Sequence, residues 1–170
     1  YEIVSRDWSS DVCSSDLDTG SWLPLQSELD GIKNTKPPLI FWQGIASTHW
    51  ASEWSLTNLR WPSVLYTALT AALLLISVRR FSGKTQTGVL AAFVWLSFFA
   101  TYRYGRPFLT DPPEVFWLSV PFFVLLYWGR SAFESKLFFP LVAGVSLGFA
   151  LFAKSFAYIV PASFALGLYY

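Results

Sequence analysis

From residue 62 onward the chain is a succession of apolar runs parted by short polar breaks. The runs are Pro62 to Val78, Thr87 to Tyr102, Val115 to Trp128, Leu137 to Ala153, and a fifth that starts at Ala157 and continues to Tyr170. A helix crossing a bilayer upright takes roughly 20 residues, within about 17 to 25. Several runs are short by that measure, the third most of all. Their flanks lengthen them, because Arg60-Trp61, Tyr102 to Tyr104 and Trp128 are residue types that anchor at the membrane–water boundary. A soluble domain can bury one such helix, but four complete runs in close succession leave too much apolar surface for its core to cover. Only 14% of the 170 residues are charged and 19% are aromatic, against about 25% charged in a soluble domain. The fold class that follows is all-α, a multi-spanning membrane helical bundle. The net charge of +1 supplies no field for nucleic acid.

The part before residue 62 is of another kind. Asp7-Trp8-Ser9-Ser10-Asp11-Val12-Cys13-Ser14-Ser15-Asp16-Leu17 is polar and rich in Ser and Asp, and its back-translation resembles a common short-read sequencing adapter. Residues 1–17 are therefore set apart as a non-native segment, with Ser5 to Leu17 excluded from functional reasoning. The only cysteine, Cys13, lies within it, which removes disulfide, thiolate-metal and cysteine-nucleophile chemistry from the remainder. The chain has no Met and opens at Tyr1, so a piece of a longer reading frame is expected. Residues 18–61 mix Trp, Pro, Gly and single charges, and read as an extramembrane loop. One amphipathic helix is predicted there, starting after Pro37-Pro38 and running from Leu39 towards Trp50, since proline suits a first helical turn. Leu39, Trp42, Ile45 and Ala46 fall at helical spacing, and such a helix could lie flat on a membrane surface.

Basic residues orient the bundle. Arg79, Arg80 and Lys84 separate the first and second runs, and Arg130 and Lys136 the third and fourth. The positive-inside rule turns these breaks to the cytoplasm. The 18–61 segment, the loop from Arg103 to Glu114 and the corner at Lys154 then share the outer side.

Chemistry is expected from a few positions there. In Lys36-Pro37-Pro38-Leu39, a lysine sits at the mouth of a proline-started helix, whose N-terminus already favours an anion. The plain alternative is a lysine that snorkels to the interface. In Thr110-Asp111-Pro112-Pro113-Glu114, Asp111 caps the next helix, with Glu114 placed as in a capping box. Alternatively Asp111 is a fixed carboxylate that orients an acceptor or holds a cation. Arg103 and Arg106, flanking Gly105, either bind a phosphate or anchor in lipid headgroups. Lys154 either snorkels or joins the outward charges. His49, the only histidine, has no metal-ligand spacing around it, and Glu28 and Asp30 read as solvated. No Gly-rich phosphate loop, dinucleotide fingerprint or nucleophile elbow occurs.

Taken in order, several stretches resemble the polyprenyl-phosphate-sugar glycosyltransferases, the family of the aminoarabinose transferase of lipid A and the dolichyl-phosphate-mannose protein mannosyltransferases. Gly20-Ser21-Trp22-Leu23-Pro24, Leu29-Asp30-Gly31 and Lys36-Pro37-Pro38-Leu39-Ile40-Phe41-Trp42 resemble their first outer loop. Leu59-Arg60-Trp61-Pro62-Ser63 is similar to the arginine-x-proline-serine approach to the next helix. Leu109-Thr110-Asp111-Pro112-Pro113 resembles the second outer loop, and Phe152-Ala153-Lys154-Ser155 with Pro161 the lysine corner. The resemblance implies a GT-C membrane core and a sugar donor on undecaprenyl phosphate or a similar lipid. The acceptor would be a lipid, glycan or protein that attacks from the outer face of a bacterial inner membrane. It implies that Lys36 neutralises the donor phosphate with help from Lys154, that Asp111 shapes the acceptor or cation site, and that Arg60, with Arg103 and Arg106, supports the loops. A divalent cation is possible.

Two departures matter. The acidic residue favoured as catalytic base in the family would fall where the adapter-like stretch sits, together with a preceding membrane helix, so this piece alone is expected to be inactive. Thr35 stands where some members carry an acidic residue before the matched lysine, which bears on any metal site. A competing class, a transporter or flippase, would use Lys36, Asp111 and Lys154 as pathway charges, and a non-catalytic membrane scaffold is a third.

Overall fold

A computed structural model describes residues 37–50, 55–129, 131–134, 137–154 and 159–169. The adapter-like stretch, Lys36, Arg130 and Lys136 lie outside them. The described residues form helices throughout: α1 Leu39–Ser47, α2 Leu56–Ser82, α3 Thr85–Ser97, α4 Phe99–Tyr104, α5 Asp111–Trp128, α6 Ser131–Glu134, α7 Phe138–Ala153 and α8 Ile159–Tyr169. The all-α bundle expected from the apolar runs is what forms. Among the described helices, α2 is long and apolar enough to cross a membrane, and α7 is a shorter apolar helix.

Helix α2 is the spine. It starts six residues before the first apolar run, because Ser55 caps it: the Asn58 amide donates to Ser55 Oγ at 3.1 Å. It ends at Gly83, whose φ of 70° suits a residue with no Cβ. On one side α2 packs against α3, on another against α5, and α5 in turn packs against α7. The buried polar residues of α2 recur every seven positions, at Ser63, Thr70 and Ser77. Small side chains on one stripe let backbones approach closely, as helices in lipid require. Thr70 Oγ1 donates back to the Tyr66 carbonyl at 2.8 Å, and Ser77 Oγ reaches the Phe123 carbonyl of α5 at 3.4 Å. From α3, Gly88 packs on another face of α2, at Leu75 and Arg79. A Cβ built on it would stand 2.5 Å from the Leu75 carbonyl oxygen and 3.1 Å from Arg79 Cβ.

Outward, the bundle shows large apolar side chains, among them Leu90, Phe93 and Leu141, each about 60% exposed or more. Such a surface would be costly in water and is the normal face of a helix in lipid. The two ends are chemically different. At one, Arg80 lies 5.9 Å from the Tyr127 ring centre, and Trp128 meets Phe138 edge to face at 5.5 Å. Below them Leu125, Ala132 and Phe139 form a small buried core with Leu166 at its edge. The other end carries Asp111 and Lys154. The basic breaks around Arg79 to Lys84 thus stand opposite the acidic corner, as the charge pattern implied.

Three local expectations change. The helix after Pro37-Pro38 exists but is shorter, ending at Ser47. Its backbone reverses through His49 and Trp50 in the left-handed region, and the Trp50 amide donates to the Ile45 carbonyl at 3.0 Å. It does not lie free on a surface: Leu39, Ile40, Phe41, Gly44 and Ile45 are buried against α2 and α7, whereas Ala46 is exposed. Gln43 donates to Tyr66 Oη at 2.7 Å, a further tie of α1 to α2. The second apolar run is not one helix. Phe98 takes an extended conformation, φ −62° and ψ 134°, and divides it into α3 and α4. Nor does a capping box form at Asp111: Thr110 occupies the cap position without a side-chain bond, and Asp111 is drawn elsewhere.

Replacing Gly88 by Leu should force α3 away from α2 and destabilise the protein by about 1–3 kcal/mol. Gly144→Ala, at a helical glycine with nothing within 4 Å of its built Cβ, should be neutral or mildly stabilising. Thermal unfolding in detergent, read for both variants, checks the contrast.

Candidate functional site: an ammonium shared by two carboxylates

Proline places the first acid. In Thr110-Asp111-Pro112-Pro113-Glu114 the ring at Pro112 occupies the opening turn of α5, where no amide hydrogen is needed. Asp111 and Glu114, three apart, then emerge on one face of the helix. Lys154 arrives from the opposite chain direction, at the residue where α7 stops. Its Nζ donates to Asp111 Oδ1 at 2.7 Å and lies 3.3 Å from Glu114 Oε2. Residues 43 positions apart in the chain are therefore locked at one end of the bundle.

The three side chains differ in exposure. Those of Lys154 and Asp111 are about one-third open, at 33% and 37%, and that of Glu114 only 7%. Glu114 Oε1 is buried with no hydrogen-bond partner among the described residues, as is the indole nitrogen of Trp42. That indole belongs to α1 and packs at 6.0 Å on Phe152, two residues before Lys154. Burial by itself would lower the pKa of Lys154; the Asp111 hydrogen bond and charge, with Glu114 behind them, more than reverse this and hold the ammonium above the ordinary lysine range. With one cation to two carboxylates, the cluster is acidic on balance if both acids are ionised.

Beside it, Asp111 also lines a pocket of about 310 Å³ with Thr67, Thr101, Tyr104 and Pro112. Thr67 Oγ1 donates to the Gly105 carbonyl at 2.7 Å, which pins the α4–α5 loop to α2. Aromatic pairs carry the support across the bundle: Tyr66 on Phe116 at 5.3 Å and Trp117 stacked on Phe149 at 4.5 Å. Apolar walls with a few aimed polar groups are the usual make-up of a small-molecule site.

Of the residues singled out by sequence, Asp111 and Lys154 come together directly. Lys36 lies outside the described residues. Arg60, Arg103 and Arg106 do not join this cluster, but line a separate cleft with one another. Glu114, read from sequence as a capping partner, is instead the buried acid that completes the cluster. Its spacing from Asp111 was the available signal. Among the described residues no group of three or more His, Cys, Asp or Glu is arranged to hold a metal ion; the partner of the two acids here is an ammonium.

Compared with known proteins, residues 16–169 match the family described as dolichyl-phosphate-mannose-protein mannosyltransferase. No curated protein and no solved structure matches the chain.

Lys154→Met should leave Glu114 buried beside an apolar neighbour and destabilise the protein by about 1–3 kcal/mol. Adding Glu114→Gln should restore part of the loss, which a double-mutant cycle by thermal unfolding measures. The pH dependence follows from the raised lysine pKa. The contribution of Lys154, taken as wild type minus Lys154→Met, should be fully present on the alkaline side up to about pH 10. It should fall only as pH rises through the higher folded-state value. A loss beginning near neutrality would contradict the pairing.

Proposed function

Because the chain belongs to the dolichyl-phosphate-mannose-protein mannosyltransferase family, whose members are membrane glycosyltransferases that use a lipid-linked sugar, we propose that it moves a sugar from a polyprenyl-phosphate donor to an acceptor at the outer face of a bacterial inner membrane. The observation that carries this reading is the 2.7 Å contact between Lys154 and Asp111 at one end of an apolar bundle. Charges concentrated at a helix entrance and a helix exit suit chemistry on a headgroup. A transporter tends to set them near mid-membrane on interrupted helices. The basic residues Arg79, Arg80 and Lys84 at the opposite end support the outward orientation of this one.

In the reaction the acceptor oxygen bonds to the anomeric carbon as the bond from that carbon to the phosphate oxygen breaks. The polyprenyl phosphate leaves with the electron pair, and a base takes the acceptor proton. Lys36, next to the proline-started helix α1, is proposed to neutralise the leaving phosphate. Asp111 is proposed to shape the acceptor side, with the 310 Å³ pocket as the space beside it. Lys154 is already engaged by two carboxylates. It therefore serves chiefly to hold Asp111 in place, and assists at the phosphate only to the extent that it can share its protons. No three of His, Cys, Asp and Glu gather among the described residues to hold a divalent cation, and no step here depends on one.

Sugar transfer from a polyprenyl-phosphate donor by the full-length protein tests the reading. Lys36→Ala and Asp111→Ala proteins that insert normally should each lose about a hundredfold or more in rate. Undiminished transfer by both would refute these assignments.

A further inference from the structure

Arg60 from the first turns of α2, Arg103 from α4 and Arg106 from the following loop line a single cleft of about 490 Å³ with Phe99, Tyr102 and Pro107. Among the described residues no carboxylate lines it. Two of the guanidinium groups are braced on rings. Arg106 sits 3.9 Å above the Tyr102 ring and its Nε–H donates to the Tyr102 carbonyl at 3.2 Å. Arg103 lies 5.6 Å from the centre of Tyr104 and 5.9 Å from that of Phe99. A braced arginine has less freedom to lose when it binds, and its planar fork matches phosphate oxygens two at a time. All three arginines border the one space.

We infer that this cleft binds the phosphate group of a membrane lipid. The choice of a lipid over free phosphate rests on its surroundings. Phe99, Tyr102 and nearby Trp61 are half or more exposed, forming the kind of aromatic fringe found at headgroup level, and Val64, Phe99 and Pro107 give the cleft an apolar side. Arg103 and Arg106 are also basic residues at the bundle end where the charge rule does not ask for them. The inference does not rest on the transferase reading, because the cleft and the Asp111 pocket have different linings.

The test uses the full-length protein in nanodiscs of phosphatidylcholine mixed with phosphatidylglycerol, with retained lipid measured by native mass spectrometry. Wild type should keep phosphatidylglycerol in preference to phosphatidylcholine, and R103Q/R106Q should lose that preference by about tenfold or more for each guanidinium removed. R103K/R106K, which keeps the charge without the fork, should fall between. Inorganic phosphate at matched ionic strength should not displace the lipid; if it does so completely, the site is one for free phosphate and the inference fails. Equal preference in wild type and R103Q/R106Q would also overturn it. Should R103Q/R106Q unfold early, R103K/R106K decides alone, and retention equal to wild type refutes the bidentate site.

Discussion

An ammonium held between two carboxylates at the edge of an apolar bundle constrains nearly everything around it. Glu114 is buried deeply enough that its charge needs a partner, and Lys154 reaches it only if α7 ends where it does and α5 begins where it does. A buried pair of this kind contributes little net stability compared with apolar packing, but is expensive to break from one side. Its effect is therefore on geometry: the start of one helix and the end of another are fixed at the same height, and Asp111 is aimed towards the pocket it lines. The stacked Trp117 and Phe149 rings continue the same α5–α7 contact inward. The site and the bundle are thus one construction.

The helices themselves were largely legible. Apolar runs, proline at the start of α5 and basic residues in alternate breaks are local signals, and each marks a local event. The end at which the charges gather was legible too, because chain direction reverses with every helix. What could not be read were choices between partners. Asp111 could cap its own helix or bond to a distant lysine, and only the tertiary approach of α7 decides. The helix after Pro37-Pro38 read as one that could lie flat on a membrane surface, and only its tertiary contacts, Gln43 to Tyr66 among them, place it within the bundle. Arg60 appeared to belong with a loop and Arg103 with a headgroup layer, since nothing in linear spacing reports that α4 folds back beside the start of α2.

Close packing here is achieved with small residues. Ser63, Thr70 and Ser77 form one buried stripe of α2, Gly88 of α3 packs on another face of it, and the Thr70 and Ser77 hydroxyls donate to backbone carbonyls within and across helices. In lipid, where apolar burial between helices brings no gain over contact with acyl chains, this close approach and these internal bonds are what hold the elements in register.

The extended residue at Phe98 has a mechanical meaning. A continuous helix transmits twist and tilt along its whole length; one residue out of helical conformation does not. The segment wedged at Gly88 and the segment bearing Arg103 can therefore turn about their own axes separately. Ser97, just before the interruption, donates to the Phe93 carbonyl at 2.8 Å, so its own hydroxyl is satisfied in a medium without water. The tie from Thr67 to Gly105 limits how far the distal segment can travel. The Arg103 side of the guanidinium-lined cleft thus sits on a short segment, interrupted at Phe98 and tied at Gly105, while Arg60 belongs to the continuous helix α2.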